Sequence, residues 1–412
     1  MIEKLKKITS HSVARNSIAL FALQFVSMVA PLIVLPYLSR ILGIDGFGLV
    51  MLALSACAIG LIITDYGFNL SATYQISKKR ENVQYVSEFI GAIFIIKLAL
   101  ALILLTCAAL YSYFIGFGIG SHMLPIYIGL NVLVQAFLPT WFFQGIERMK
   151  NVTIYMVIAK ISYVLLVFAF IKEKADVEWV ILFYALSNSV AILIALRSIY
   201  TNGYAIKYPT SIKIKSVFKD SSQFFLSRAA VSIYTSASTF LVGAFAGIQQ
   251  AAIYGASEKV YQASQSITAP IVQALFPYMA KNKNEKLLLN VVVIIGVPLF
   301  LSCFIAGFWA NEVMELIFGH EFAQTGHILQ VFLIITVINF ISVNFGYPAF
   351  AGLGKIHIAN YTVMLGALIQ LLCLAVLYFS GKITAINVVL SVLIVESFVM
   401  TFRCYLYFIY SR

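Results

Sequence analysis

The sequence predicts an all-α polytopic membrane protein with twelve transmembrane helices in two six-helix bundles, related by a pseudo-two-fold axis along the membrane normal. Three observations predict this: apolar runs of membrane-crossing length, a lopsided distribution of Lys and Arg, and an internal offset of 207 residues. With 61% apolar residues and a mean hydropathy of +0.95, the composition excludes a soluble globular domain.

The runs come first. A stretch of about 18 or more residues with few charges reads as a transmembrane helix, because about 20 residues at 1.5 Å rise cross the hydrocarbon. Such runs fall near 14–37, 47–66, 84–110, 122–143, 151–171, 178–199, 222–245, 251–280, 287–309, 327–350, 357–379 and 384–409. The segments between them are too short for another domain, so the chain's work is expected inside the membrane. The basic opening MIEKLKKITSHSVARN has no small-residue cleavage site and reads as a retained anchor.

Basic residues orient the spans. With both termini cytoplasmic, only Arg40, Lys172, Lys174 and Lys382 lie outside, and Lys97, Lys160, Arg228 and Lys259 lie deeper within spans. The other 20 of the 28 Lys and Arg residues fall on the inner side, Arg403 among them. Lys and Arg concentrate in cytoplasmic loops, so the split supports an even number of spans with both ends inside. The net charge of +12 is a topology signal, and no nucleic-acid partner is expected. Trp141, Trp179 and Trp309 are placed at membrane interfaces. The five cysteines and five histidines have no metal or disulfide spacing, so neither metal nor cofactor is expected.

The internal offset comes from paired glycines. Gly48 and Gly255 open even-numbered spans 207 positions apart, and Gly145 and Gly352 follow the fourth and tenth spans at the same separation. The reading is a duplicated unit, residues 1–206 and 207–412, with the basic stretch 200–220 as the joint. Such folds suit a transporter whose substrate site lies between the halves.

Polar side chains inside spans are costly and serve as functional candidates. The seventh span carries Ser221, Arg228, Ser232, Thr235 and Thr239, and the eighth Lys259, Gln262, Ser266 and Gln273, each set on one face at 100° per residue. Gln24 follows Ser17 on the first span, and Asn131 and Gln135 precede Pro139 on the fourth. Arg228, Lys259, Gln262, Ser232 and Gln24 are the expected substrate-binding residues. Cations at two depths could pass an anionic head group across the bilayer, since they bind phosphate oxygens strongly at low dielectric. Asp65, Glu258 and Glu396 are the acids able to couple transport to an ion. Lys97 and Lys160 are read equally as functional groups and as structural partners of Glu88, Glu396 or Asp65.

The stretches PLIVLPYLSRILGIDGFG at 31–48, DYGF at 65–68, PTWFFQGIERMK at 139–150 and AAIYGASEKV at 251–260 resemble the bacterial polysaccharide and O-antigen flippases. These belong to the multidrug/oligosaccharidyl-lipid/polysaccharide exporter superfamily. The resemblance implies translocation of undecaprenyl-diphosphate-linked oligosaccharide from the cytoplasmic to the periplasmic leaflet of the inner membrane. A coupling ion and polysaccharide polymerase partners in the membrane go with that reading. The alternative is an ion-coupled multidrug exporter of the same superfamily. A major-facilitator transporter would carry an Asp-Arg-Gly-Arg type of loop where this chain reads NLSATYQISKKRENVQ. An enzyme such as a membrane polymerase would need a larger outer loop than 310–326, and no P-loop is present for direct use of ATP.

Overall fold

The computed structural model describes residues 12–114 and 123–411, with side chains throughout except at 12–22, 223–224 and 226–236. Among the described residues the structure is helical, with turns and short 3-10 segments as the only other regular elements. Helix α1 is Ser12–Asp65, α2 Phe68–Lys79, α3 Val83–Phe114, α4 Leu124–Ala136 and α5 Thr140–Gly145. Then come α6 Met149–Phe170, α7 Val177–Thr201, α8 Ser211–Ala246, α9 Ile248–Asn282 and α10 Glu285–Phe308. The last are α11 Ala310–Phe318, α12 Gly326–Asn344, α13 Tyr347–Gly352, α14 Ile356–Phe379 and α15 Ala385–Ser411.

The 54 residues of α1 would run about 80 Å if straight, more than twice the hydrocarbon thickness. Its course breaks at Gly43, whose φ of 68° and ψ of −179° are open essentially to glycine alone. The expected spans 14–37 and 47–66 lie on either side of that break. A second break, at Gly247 with φ 97° and ψ 168°, separates α8 from α9. Pro139 opens α5, and Pro348 sits in the first turn of α13, where its missing N–H costs nothing.

Among the described residues, nine helical stretches are long and apolar enough to cross a membrane, from Leu23–Lys79 to Ala385–Ser411. The stretch Leu23–Lys79 takes in two expected spans, and of the seventh the longest part with described side chains is the apolar piece Ala237–Ala246 at the end of α8. The eighth exists as α9, but Glu258, Lys259 and its Gln and Ser residues keep its hydropathy low.

The chain packs as two units. The first comprises Met1–Leu35 and Ala53–Ser232, the second Pro36–Leu52 and Ile233–Arg412. In the first, Trp141, Phe142 and Phe143 are fully buried with Phe68, Ile76 and Tyr155. Trp141 is therefore a core residue and not an interface anchor, set edge-on to Phe94 at 6.3 Å. Trp179 and Trp309 are exposed. The loop after α7 lies across α3, with the Lys207 N–H donating to the Ser87 carbonyl at 3.2 Å. A Cβ on Gly91 would run into the Lys207 carbonyl.

In the second unit, Tyr254 of α9, Phe332 and Ile335 of α12, and Val388 and Val389 of α15 form the core. The segment Pro36–Leu52 crosses α9 at the paired glycines: a Cβ on Gly48 would strike the Ile248 carbonyl, and one on Gly255 would meet the Met51 side chain. Removing Cβ at both points lets the two backbones approach. The same segment is tied to the loop around α11. Arg40 donates to the Leu316 carbonyl at 2.6 Å, the Ile44 N–H donates to Glu321 at 2.5 Å, and Phe47 packs edge-on to Phe322 at 5.6 Å.

The 207-residue offset recurs in local geometry. Helices α5 and α13 occupy equivalent positions, and each ends at its paired glycine, Gly145 or Gly352. Two residues later Glu147 (φ 58°) and Gly354 (φ 70°) both turn left-handed. The Arg148 N–H then donates to the Phe143 carbonyl, and the Lys355 N–H to the Phe350 carbonyl, both at 2.8 Å.

Two outcomes are expected. Gly43→Ala should cost about 1–3 kcal/mol of backbone strain and lower the thermal midpoint in detergent, whereas Gly307→Ala, facing open space, should not. Equal midpoints would contradict the break at Gly43. In the α11 loop, His320 shares a 2.8 Å hydrogen bond with Glu315, which holds its pKa above the ordinary 6.5. The stabilisation is thus fully present below 6.5 and is lost as pH rises through the raised value. Glu315→Gln should bring the His320 titration back down in an NMR pH series.

Candidate functional site

The second unit holds a polar cavity of about 180 Å³ within its helical core. Four helices supply its walls, α8 through Ser238, and the hydrophobic core just described fixes the approach of the other three. From α9, Glu258, Tyr261, Gln262 and Gln265 face it at steps of three and four residues, one stripe of the helix surface. Helix α12 contributes Phe332 and Asn339, and α15 contributes Val392 and Glu396.

Separate sets of hydrogen bonds hold these groups. Thr239 donates to Glu258 at 2.7 Å. Gln265 donates both to the Tyr261 hydroxyl at 2.7 Å and to the Asn339 side-chain oxygen at 3.0 Å. Asn339 in turn donates to Glu396 at 3.3 Å. Ser264 and Thr336 share a 3.2 Å bond at the α9–α12 contact. Two carboxylates therefore border one small cavity, Glu258 held by Thr239 and Glu396 by the amide relay of Gln265 and Asn339. Glu396 is 8% exposed, and a carboxylate so enclosed requires donors, a proton or a cation. The arrangement can bind and release a small cation or proton, or accept hydrogen bonds from a hydroxylated ligand.

The expected site residues divide. Glu258, Gln262 and Glu396 are brought to this cavity. Lys259 lies beside it on α9 and donates to Gln262 at 2.9 Å, so its ammonium is adjacent to the acidic stripe. Gln24 is exposed on the part of α1 belonging to the first unit. Asp65 also belongs to the first unit, 3.8 Å from the buried Lys97 ammonium. The side chains of Arg228 and Ser232 lie outside the described residues, as does that of Thr235. Lys160 is placed over the Tyr184 ring at 5.3 Å. Asn131 accepts from Gln135 at 2.6 Å within α4 itself.

Asn339 and Gln265 are the functional candidates missed in the sequence. The stripe read from α9 followed Lys259, Gln262, Ser266 and Gln273. The cavity instead follows the neighbouring stripe starting at Glu258, whose signal is the spacing Glu258, Tyr261, Gln265. Arg403 was counted with the inner helix ends. It is instead 5% exposed, donating to the Ser342 carbonyl and hydroxyl at 2.9 and 3.1 Å and to Thr362 at 2.8 Å.

Replacing Asn339 with Leu should break the relay and leave Glu396 one donor short, at a cost of about 1–3 kcal/mol. The thermal midpoint of the purified protein reads that loss, and an unchanged midpoint would show that the relay carries no structural load.

Comparison with known proteins follows from this geometry. A Shigella dysenteriae protein named as an O-antigen transporter is 29% identical over 394 residues, covering 94% of this chain and 98% of its own. Two solved structures share the fold at low identity. An inward-facing multidrug resistance MATE family transporter superposes with a TM-score of 0.72 at 13% identity, covering 94% of this chain and 95% of its own. The lipid II flippase MurJ, in an inward closed conformation, superposes with a TM-score of 0.66 at 14% identity, covering 95% and 86%. The model of the polysaccharide biosynthesis protein family matches residues 13–283, and the chain belongs to that family.

Proposed function

We propose that this protein is a flippase that carries undecaprenyl-diphosphate-linked O-antigen or related polysaccharide units from the cytoplasmic to the periplasmic leaflet of the bacterial inner membrane, by alternating access. The observation that carries this reading is the near-complete alignment with the Shigella dysenteriae O-antigen transporter, over 94% of this chain. Twelve spans in two six-helix bundles, divided near residue 206 and with both termini cytoplasmic, complete the proposed architecture.

Roles follow from chemistry. Arg228 and Lys259 are proposed to meet the diphosphate or acidic sugars, with Ser232, Gln262 and Gln24 offering hydrogen bonds to the glycan. Glu258 and Glu396 are proposed as the ion-coupling pair, because the cavity between them is the described place where two carboxylates share one small polar space. Asp65 is the third coupling candidate, held beside Lys97. With no nucleotide site in the sequence, an ion gradient or the membrane potential supplies the energy. A polysaccharide polymerase in the same membrane is the proposed partner.

The second reading, an ion-coupled multidrug exporter, is favoured by one observation: the cavity is acidic, which suits a cationic ligand. A gene deletion separates the two. Loss of the flippase should accumulate lipid-linked glycan on the cytoplasmic leaflet and abolish surface polysaccharide. Altered drug susceptibility without glycan accumulation would support the exporter instead. In complementation, Arg228→Ala and Lys259→Ala should each abolish surface glycan with protein levels intact, and full activity of the double variant would remove the cations from the mechanism.

A further inference from the structure

A second cavity in the C-terminal unit lies apart from the acidic one, where α9 gives way to α10. It encloses about 220 Å³, and its lining includes Lys283, Glu285, Gly352 and Tyr407. Tyr407 is 2% exposed, and its hydroxyl is buried without a hydrogen-bond partner. Buried polar groups are otherwise almost always paired, so an unpaired phenol among the residues that line this cavity marks it as a candidate ligand site. At the rim, Lys283 and Glu285 carry opposite charges, and among the described residues neither forms an ion pair.

The internal repeat shows that this space is specific to the second half. At the equivalent place in the first half, Ile76 is fully buried, and a Cβ on Gly145 would meet its side chain at 2.7 Å. The 207-residue offset puts Lys283 where Ile76 stands and Gly352 where Gly145 stands. An apolar plug in one half has become a lysine beside a cavity in the other. Lys283 also adopts a left-handed φ of 49° at the end of α9, uncommon for a side chain other than Gly or Asn.

We propose that this pocket binds the headgroup of a zwitterionic phospholipid of the phosphoethanolamine type. Its phosphate lies beside Lys283 and accepts from the Tyr407 hydroxyl, and its ammonium lies beside Glu285. The opposite rim charges disfavour a simple anion, because Glu285 would repel it. The pocket's position fits a lipid: α9 and α10 meet there in the charged run from Lys281 to Lys286, which marks the headgroup level. Acyl chains can then follow α10, where Val293, Ile294 and Val297 are exposed.

Native mass spectrometry of the purified full-length protein, titrated with dioleoyl phosphatidylethanolamine and phosphatidylglycerol, tests the assignment. The wild type should retain phosphatidylethanolamine about tenfold more tightly, Tyr407→Phe should weaken that binding about fivefold, and Glu285→Gln should erase the preference. Thermal midpoints confirm that the variants fold, and if Tyr407→Phe does not, the exposed Lys283→Gln carries the same readout. Equal retention of both lipids by the wild type, or undiminished binding by the folded Tyr407→Phe or Lys283→Gln variant, would overturn the proposal. Free phosphoethanolamine binding as tightly as the lipid would also overturn it, in favour of a soluble ligand.

Discussion

A polar group in the hydrocarbon core has no water to fall back on, and the rest of this structure follows from that constraint. Backbone groups satisfy it by helix formation, which is why the described residues are helical. Side chains must find partners within their own unit. Lys97 finds Asp65 and the ring of Phe68. Arg403 finds two hydroxyls and a carbonyl. Both cations are buried and enclosed by protein, so their geometry reads as structural. Around Glu258 and Glu396 the same constraint is met differently: amides and hydroxyls hold the carboxylates at the edge of an open volume. That difference sets the candidate site apart from the enclosed cations Lys97 and Arg403.

Much of the fold was legible because apolar runs of the right length have few alternatives. The boundaries of α6, α7, α10, α14 and α15 fall within a few residues of the expected spans. The breaks were less legible. Gly43 and Gly247 are two of 24 glycines, and nothing in the sequence singles out those that turn. The expected interface role of Trp141 failed because TWFFQG packs inward as a six-residue helix after Pro139, with Trp141 against Phe94 and Phe142.

The candidate site was half legible. Glu258 and Glu396 were singled out as ionisable groups deep in apolar sequence, but sequence could not show that they share a cavity. That depends on how α9, α12 and α15 are rotated. A helix surface offers several stripes only tens of degrees apart, and the one chosen from Lys259 lay next to the one that faces the cavity. Asn339 gave the weakest signal, a neutral amide in an apolar helix that also carries Gln330 and Asn344, yet it joins Gln265 to Glu396. Arg403 was counted near an inner helix end, but its inward contacts with Ser342 and Thr362 could not be read from sequence, since a cation near a helix end can also reach the headgroups.

The 207-residue offset pairs some features that recur with others that differ. The left-handed turn after each short helix and the bond that closes it are constraints on backbone geometry, and they persist in both halves. Side chains facing the resulting spaces are free to change, as Ile76 and Lys283 have done. The account's central claim is that the protein moves lipid-linked glycan and that Glu258 and Glu396 drive the movement. Reconstitution into proteoliposomes with an undecaprenyl-diphosphate-linked oligosaccharide, followed by lectin access to each leaflet under an imposed ion gradient, tests it most directly. The account predicts gradient-dependent transfer by the wild type and none by Glu258→Gln or Glu396→Gln. Transfer at the wild-type rate by the double Gln variant, or none by the wild type, would contradict it.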